Sequence, residues 1–286
     1  MRSIFDVPAP AKLNLFLHVL GRRSDGMHLI QSAFMLVDWC DTLHFELRAD
    51  GALSREDLTL QLPKDDLVLK AARALQAATG TQLGAHIAIE KQIPAEAGMG
   101  GGSSDAATTL LALNRLWQTG LGRAQLAAIG EKIGADVPFF MGGRNAWVEG
   151  IGEKLTPIDL PQARFVVVKP SAGVPTAAIF GHAALNRASP AAIITGFAAN
   201  PFAFGANDLQ PVAQMLCPEV SEALQWLGSK GLQGRMTGSG SAVFALLSAG
   251  QTLGPAPQGW SARECGNMGA HPLAGWASSD GSSVAG

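Results

Sequence analysis

Residues 93–117 read IPAEAGMGGGSSDAATTLLALNRLW, from Ile93 to Trp117, a glycine cluster and two serines that run straight into an amphipathic segment. Glycines at 98, 100, 101 and 102 can take positive φ and let backbone N–H groups approach an anion with no Cβ in the way. Ala106, Leu110, Leu113 and Trp117 recur at helical spacing, so a helix is expected to begin near Ser103 or Ser104 with its unpaired first amides aimed back at the glycines. Asp105 would then lie in the first turn, where a carboxylate suits the positive end of the helix dipole. Taken alone, these residues support two readings, a phosphate cradle or a flexible surface loop ahead of a capped helix. Two common nucleotide patterns are excluded. No lysine follows the glycines as GxxxxGK(S/T) requires, and Ser103 stands where GxGxxG needs its last glycine.

The surrounding chain is 286 residues long and 47% apolar, enough to bury a large core and to favour two domains over one. Only 15% of residues are charged and the net charge is −2, so no basic footprint marks nucleic acid or an anionic membrane as a partner. The three cysteines, Cys40, Cys217 and Cys265, are odd in number and share no CxxC spacing. That argues against a disulfide framework or a structural zinc site and points to a reducing, cytoplasmic setting. Asp6, Pro8, Pro10, Lys12 and Asn14 break up any apolar core a leader peptide would need, and no segment is apolar for long enough to span a bilayer.

Upstream of the glycines, Ala11, Leu13, Leu15, Leu17 and Val19 alternate along one face of an expected strand, with Lys12, Asn14, Phe16 and His18 on the other. Residues 29–39 and 42–47 read as two further strands of an antiparallel beginning, Leu67 to Ala78 as a helix ended by Gly80, and 85–93 as the strand that delivers the chain to the loop. Downstream, a helix is expected over 123–133, strands over 145–149 and 153–158, and a domain boundary near residue 160, giving domains 1–160 and 161–286. The second half reads as a strand at 164–169 followed by PSAGVPTAAIF (170–180) and a helix, then helices near 208–216 and 220–230, and a glycine turn between two strands at 235–247. From about Ala277 the composition is Ser/Gly/Ala-rich and aperiodic, which predicts a tail without regular structure.

Five blocks stand in order along the chain: PAPAKLNLFL (8–17), GRRSDGMHLIQS (21–32), PAEAGMGGGSSDAA (94–107), GADVPFF (134–140) and RMTGSGSAVF (235–244). Together they resemble the GHMP kinase superfamily, and within it the branch that phosphorylates 4-diphosphocytidyl-2-C-methyl-D-erythritol in the non-mevalonate isoprenoid pathway. The resemblance implies a two-domain α+β fold, with a left-handed β-α-β unit in the N-terminal domain, a ferredoxin-like C-terminal domain and the active site in the cleft between them. It assigns ATP to the loop formed by Pro94, Ala95, Glu96, Ala97, Gly98, Met99, Gly100, Gly101, Gly102, Ser103 and Ser104, with Met99 where leucine is usual. Mg²⁺ is implied by ATP chemistry, held mainly by phosphates and water, with Ser104 as a contact and no protein cage. Lys12 and Asp136 match the catalytic pair, with Asp136 accepting the hydroxyl proton and Lys12 neutralising charge, while Asn14 would orient the hydroxyl.

The resemblance also implies a cytidine diphosphate acceptor. His28 matches the residue that reads the polar edge of cytosine, Phe180 matches one stacking partner with Thr176 beside it, and Met27 stands where the other stacking partner is aromatic. Read without the resemblance, Met27 and Phe180 equally fit core packing. Two other functions use the same loop: a homoserine or mevalonate type of GHMP kinase, and a nucleotide-binding sensor with no turnover on the same fold.

Overall fold

The alternating stretch at the start of the chain belongs to a 20-residue strand, β1 (Ser3–Arg22), paired antiparallel with the 21-residue β2 (His28–Arg48). The computed structural model describes residues 1–248 and 250–278. The two strands expected over 29–47 are one, because a register shift absorbs the irregularity: Pro10 faces Cys40 and the next residue, Ala11, faces Val37. A second shift between Asn14 and Leu17 turns Phe16 away from Lys12 and Asn14, and into the same core as Leu13 and Leu15.

β3 (Leu53–Asp57), which has no clear signal in the sequence, runs parallel to β4 (Gly84–Glu90). The helix α1 (Leu67–Thr79) joins them, capped at its start by the Asp66 carboxylate, which accepts from the Val68 and Leu69 amides, and ended by Gly80. Then follow α2 (Gly101–Leu116), α3 (Arg123–Glu131), α4 (Val137–Gly142), β5 (Ala146–Glu149) and β6 (Lys154–Pro157). The first sheet runs β3-β4-β2-β5-β6, with β1 on β2. Helix α2 starts two residues before Ser103, with Gly100 as its N-cap, so Asp105 falls beyond the first turn and is buried. It is buried almost all round, as a helix must be when it runs through the middle of a domain.

The second half contains β7 (Arg164–Lys169), α5 (Thr176–Gly181), α6 (Ile194–Ala199), α7 (Gln210–Leu216), α8 (Pro218–Ser229), β8 (Arg235–Met236), β9 (Val243–Leu247) and β10 (Ser261–Gly266). Its sheet runs β10-β7-β9-β8, antiparallel throughout. One core lies between the first sheet and its helices, and another lies between the second sheet and α5, α7 and α8. A third joins the two halves: Leu13, Leu15, Phe16 and Trp147 pack against Phe165, Val167 and Phe244. Both faces of β1 are therefore buried over most of its length.

Residues 267–278 return to the first half. The Met268 amide donates to Leu36 O at 2.9 Å, the His271 amide donates to Gly143 O at 2.8 Å, and Leu273 and Ala277 enter the first core. The tail expected from Ala277 therefore begins as packed chain, with Ser278 O accepting from the Arg123 amide; its remainder, 279–286, lies outside the described residues. Among the described residues no helix is long and apolar enough to cross a membrane.

Candidate active site

A cavity of about 1090 Å³ opens where the start of α2 meets the turns of the second half. That is slightly above the ~300–1,000 Å³ usual for a small-ligand pocket. Residues 94–103 all line it; Ser104 does not. Ser104 is one turn into the helix and fully buried, and its Oγ has no partner among the described residues.

The loop is held from two sides. Gly100 has φ +71°, and a Cβ there would lie 3.1 Å from the Phe140 ring and 3.2 Å from Lys12 Cγ, so glycine lets α4 and β1 close onto the helix end. The Lys12 amide donates to Met99 O at 2.9 Å. On the other side the 237–241 turn packs on the loop, with the Ser241 amide donating to Glu96 O at 3.0 Å and Gly238, Ser239 and Gly240 reaching the cavity wall. The free amides at the start of α2 thus face a rigid, walled space, the arrangement that suits an anionic phosphate.

Lys12 and Asp136 come from elements 124 residues apart in sequence, and the fold places Lys12 Nζ 3.4 Å from Asp136 Oδ2. Asp136 is the N-cap of α4 with its side chain 30% exposed, while the Lys12 side chain is 5% exposed. The lysine also donates to Asn14 Oδ1 at 2.5 Å and lies 4.4 Å from the centre of the Phe34 ring, a desolvated setting that keeps its charge directional. Asn14 Nδ2 in turn donates to Ser32 Oγ at 2.9 Å. It orients Lys12 and stands on the cavity wall, with a second amide N–H and a second Oδ1 lone pair beyond these two bonds.

Met27, His28, Thr176 and Phe180 line the far end of the cavity. Met27 is 47% exposed, which removes core packing as its reason for being apolar. Phe180 is partly buried against the second core and its ring centre lies 4.9 Å from that of His28. Thr176 Oγ1 shares a 2.7 Å hydrogen bond with Ser239 Oγ, which ties α5 to the 237–241 turn. Burial and the guanidinium groups of Arg187 and Arg22 hold the His28 imidazole below its ordinary pKa.

Sequence reasoning missed a buried cluster beside the loop. Lys91 Nζ lies 2.6 Å from Asp105 Oδ2 and also pairs with Asp41, and a Cβ on Gly101 would meet this nitrogen at 3.4 Å. Asp41 further accepts from the Gln92 and Ile93 amides, whereas Asp105 keeps one oxygen without a partner among the described residues. Two carboxylates and one ammonium cannot all be charged cheaply in a dry site, and burial pushes the Asp105 carboxyl up to about 8. No local spacing signals this cluster, because its members lie on β2, on the segment after β4 and on α2.

Residues 66–144 match the GHMP kinases N terminal domain and residues 185–258 match GHMP kinases C terminal. A protein of Paracidovorax citrulli named 4-diphosphocytidyl-2-C-methyl-D-erythritol kinase is 65% identical over 284 residues, covering 98% of this chain and all of that one. The chain belongs to the GHMP kinases. A second relative of this kinase, from Variovorax paradoxus and bearing the same name, is 63% identical over 295 residues, covering 97% of this chain and 100% of its own. A crystal structure of 4-(cytidine 5'-diphospho)-2C-methyl-D-erythritol kinase superposes with a TM-score of 0.74 at 35% identity, over 86% of this chain and 90% of that one. The α+β fold with N- and C-terminal parts, and the use of ATP, follow from membership of the family.

Proposed function

We propose that this GHMP kinase transfers the γ-phosphoryl group of ATP to the C2 hydroxyl of 4-diphosphocytidyl-2-C-methyl-D-erythritol, giving the 2-phosphate and ADP. The observation that carries the reading is the identity of 65% to a so-named kinase over nearly the whole of both chains. One cavity with a phosphate-type loop and a His28/Phe180 end supports it further. A homoserine or mevalonate type of kinase would have no use for that second end.

In this reading ATP lies with its phosphates on the amides at the start of α2, and the acceptor hydroxyl meets the γ-phosphorus in front of Asp136. Phosphoryl transfer depends mostly on aim and on charge neutralisation, because little bond formation to the nucleophile has occurred at the transition state. Asp136 aligns the hydroxyl and receives its proton as the O–P bond forms, and Lys12, fixed by Asn14, offsets negative charge at both the carboxylate and the transferring group. Mg²⁺ enters with ATP as part of the substrate and supplies charge neutralisation at the phosphates. Asp136 and Ser103 are among the oxygen-bearing residues on the wall that would face it. The acceptor's cytosine lies at the end formed by Met27, His28, Thr176 and Phe180. The change of sheet between β6 and β7 supports a domain boundary near residue 160, and the three free cysteines support a reducing, cytoplasmic setting.

A panel of acceptors in an ADP-release assay tests the substrate: turnover is expected with the cytidine diphosphate compound and not with homoserine or mevalonate. Asp136→Asn, with an unchanged melting curve, is expected to lose at least ~100-fold in kcat. Wild-type turnover by that variant would remove Asp136 from its role.

A further inference from the structure

Arg187 stands outside every motif of the sequence, on the segment that follows α5. Its guanidinium donates from Nε to His28 Nε2 at 3.1 Å and, through its other nitrogens, to the carbonyls of Phe180 at 2.8 Å, His182 at 2.9 Å and Leu185 at 3.2 Å. Two of those carbonyls belong to the end of α5, so a single side chain fixes the backbone that carries Phe180 and the ring that Phe180 packs against.

The direction of the bond to His28 has a chemical consequence. Arginine is a donor only, so His28 Nε2 must be an acceptor, and a neutral imidazole that accepts at Nε2 carries its proton on Nδ1. An imidazolium would bring two N–H donors, one of them facing the guanidinium. His28 lines the cavity, and with Nε2 taken, Nδ1–H is the ring group left for a ligand.

We infer that Arg187 is a specificity-determining positioning residue: by holding His28 as the Nδ1–H tautomer, it makes this end of the cavity accept a base with a ring-nitrogen acceptor, cytosine, and reject uracil. Cytosine N3 has a lone pair that receives the Nδ1 proton. Uracil N3 carries its own hydrogen, so the same approach sets two donors against each other and leaves both unpaired in a partly dry site. The selectivity claim rests on the proposed cytidine acceptor, but the tautomer claim does not.

The test has two arms. Protein labelled with ¹⁵N-histidine is read by long-range ¹H–¹⁵N correlation, with His28 assigned by its loss in His28→Asn. The wild type is expected to show the proton on Nδ1, Arg187→Met to show a mixture or Nε2–H, and Arg187→Lys, which still donates, to restore Nδ1–H. In the second arm kcat/KM is compared for the cytidine acceptor and its uridine counterpart. A wild-type preference of about a hundredfold is expected to fall about tenfold in Arg187→Met and to return in Arg187→Lys. A wild-type His28 protonated on Nε2, or an Arg187→Met enzyme with unchanged tautomer and unchanged preference, overturns the inference. If Arg187→Met does not fold, Arg187→Ala takes its place in both arms, and a wild-type His28 protonated on Nε2 still overturns the inference by itself. Absence of turnover on the cytidine acceptor by the wild type would instead overturn the proposed function, and the spectra would stand apart from it.

Discussion

Replacing Gly98 and Gly102 in turn by alanine separates two reasons for a glycine in one loop. Gly98 has φ +69°, and a Cβ there would lie 2.2 Å from Thr237 O and 2.9 Å from the Gly240 amide nitrogen, both backbone atoms that cannot swing aside. The left-handed conformation costs alanine ~1–2 kcal/mol. Relieving the overlap means moving the 237–241 turn off the loop, and overpacking of this kind costs ~1–3 kcal/mol. Together these predict a loss of about 2–5 kcal/mol, which for a chain of this size lowers the melting temperature by roughly 4–20 °C. Gly102 lies inside the first turn of α2, where its Cβ would meet only Leu67 Cδ1, at an ordinary 3.5 Å, and alanine favours a helix over glycine by up to ~1 kcal/mol. Gly102→Ala is therefore expected to melt at or slightly above the wild-type temperature. Thermal melts of both variants, with KM for ATP measured well below each transition, make the comparison. Gly98→Ala should raise KM for ATP because the loop loses its backing. A Gly98→Ala protein with wild-type melting and KM, or a Gly102→Ala protein that melts as low as Gly98→Ala, would refute the reasoning.

Burial lowers the His271 pKa to about 4 from 6.5, so stability is lost as pH falls from about 6.5 toward 4, where only the unfolded chain takes the proton. With one proton the slope is at most about 1.4 kcal/mol per pH unit, and the acid-side loss should flatten in His271→Gln when melts are compared at pH 4.5 and 7. Asp105 acts with the opposite sign. Its carboxyl is raised to about 8, so the folded state holds a proton that the unfolded chain releases above 3.8, and its contribution falls as pH rises from about 4 to 8. Asp105→Asn should remove that decline between pH 7.5 and 8, a range in which His271 is deprotonated in both the folded and the unfolded chain, and an unchanged slope there would mean that the carboxyl is ionised throughout. Met27→Tyr should bind the cytidine acceptor several-fold more tightly, a gain of about 1 kcal/mol from a second aromatic platform, and equal affinities by calorimetry would count against stacking at this position.

Elements whose signal is local were legible from residues alone. Helix α1 carries its apolar period and its glycine stop, β7 is a continuous apolar run, and the glycine loop exposes its own chemistry. The start of α2 was misread because the expectation began the helix at the serines, whereas Gly100, walled by Phe140 and Lys12, takes the N-cap. Elements β3, α4, α6 and β10 were not legible: they are short, and their backbones are ordered by neighbours, as β3 is by β4 and β10 by β7. Asn14 was assigned its face from the sequence, but its hold on Lys12 and Ser32 was not legible, since the period of a strand says which side a residue is on and not which partners its side chain finds.

The order of the blocks along the chain was enough to determine the family, the phosphate loop and the candidate pair Lys12 and Asp136, because each block needs particular residue types at short range. Distances between blocks belong to the tertiary structure. Only packing of both faces of β1, against α2 on one side and the second sheet on the other, brings Lys12 to Asp136. Burial likewise decides where a proton resides in the Asp41–Lys91–Asp105 cluster, and Arg187 decides which nitrogen of His28 carries one. Charge and tautomer depend on groups that are close in space, and in this protein those groups are as far apart in the chain as residues 28 and 187.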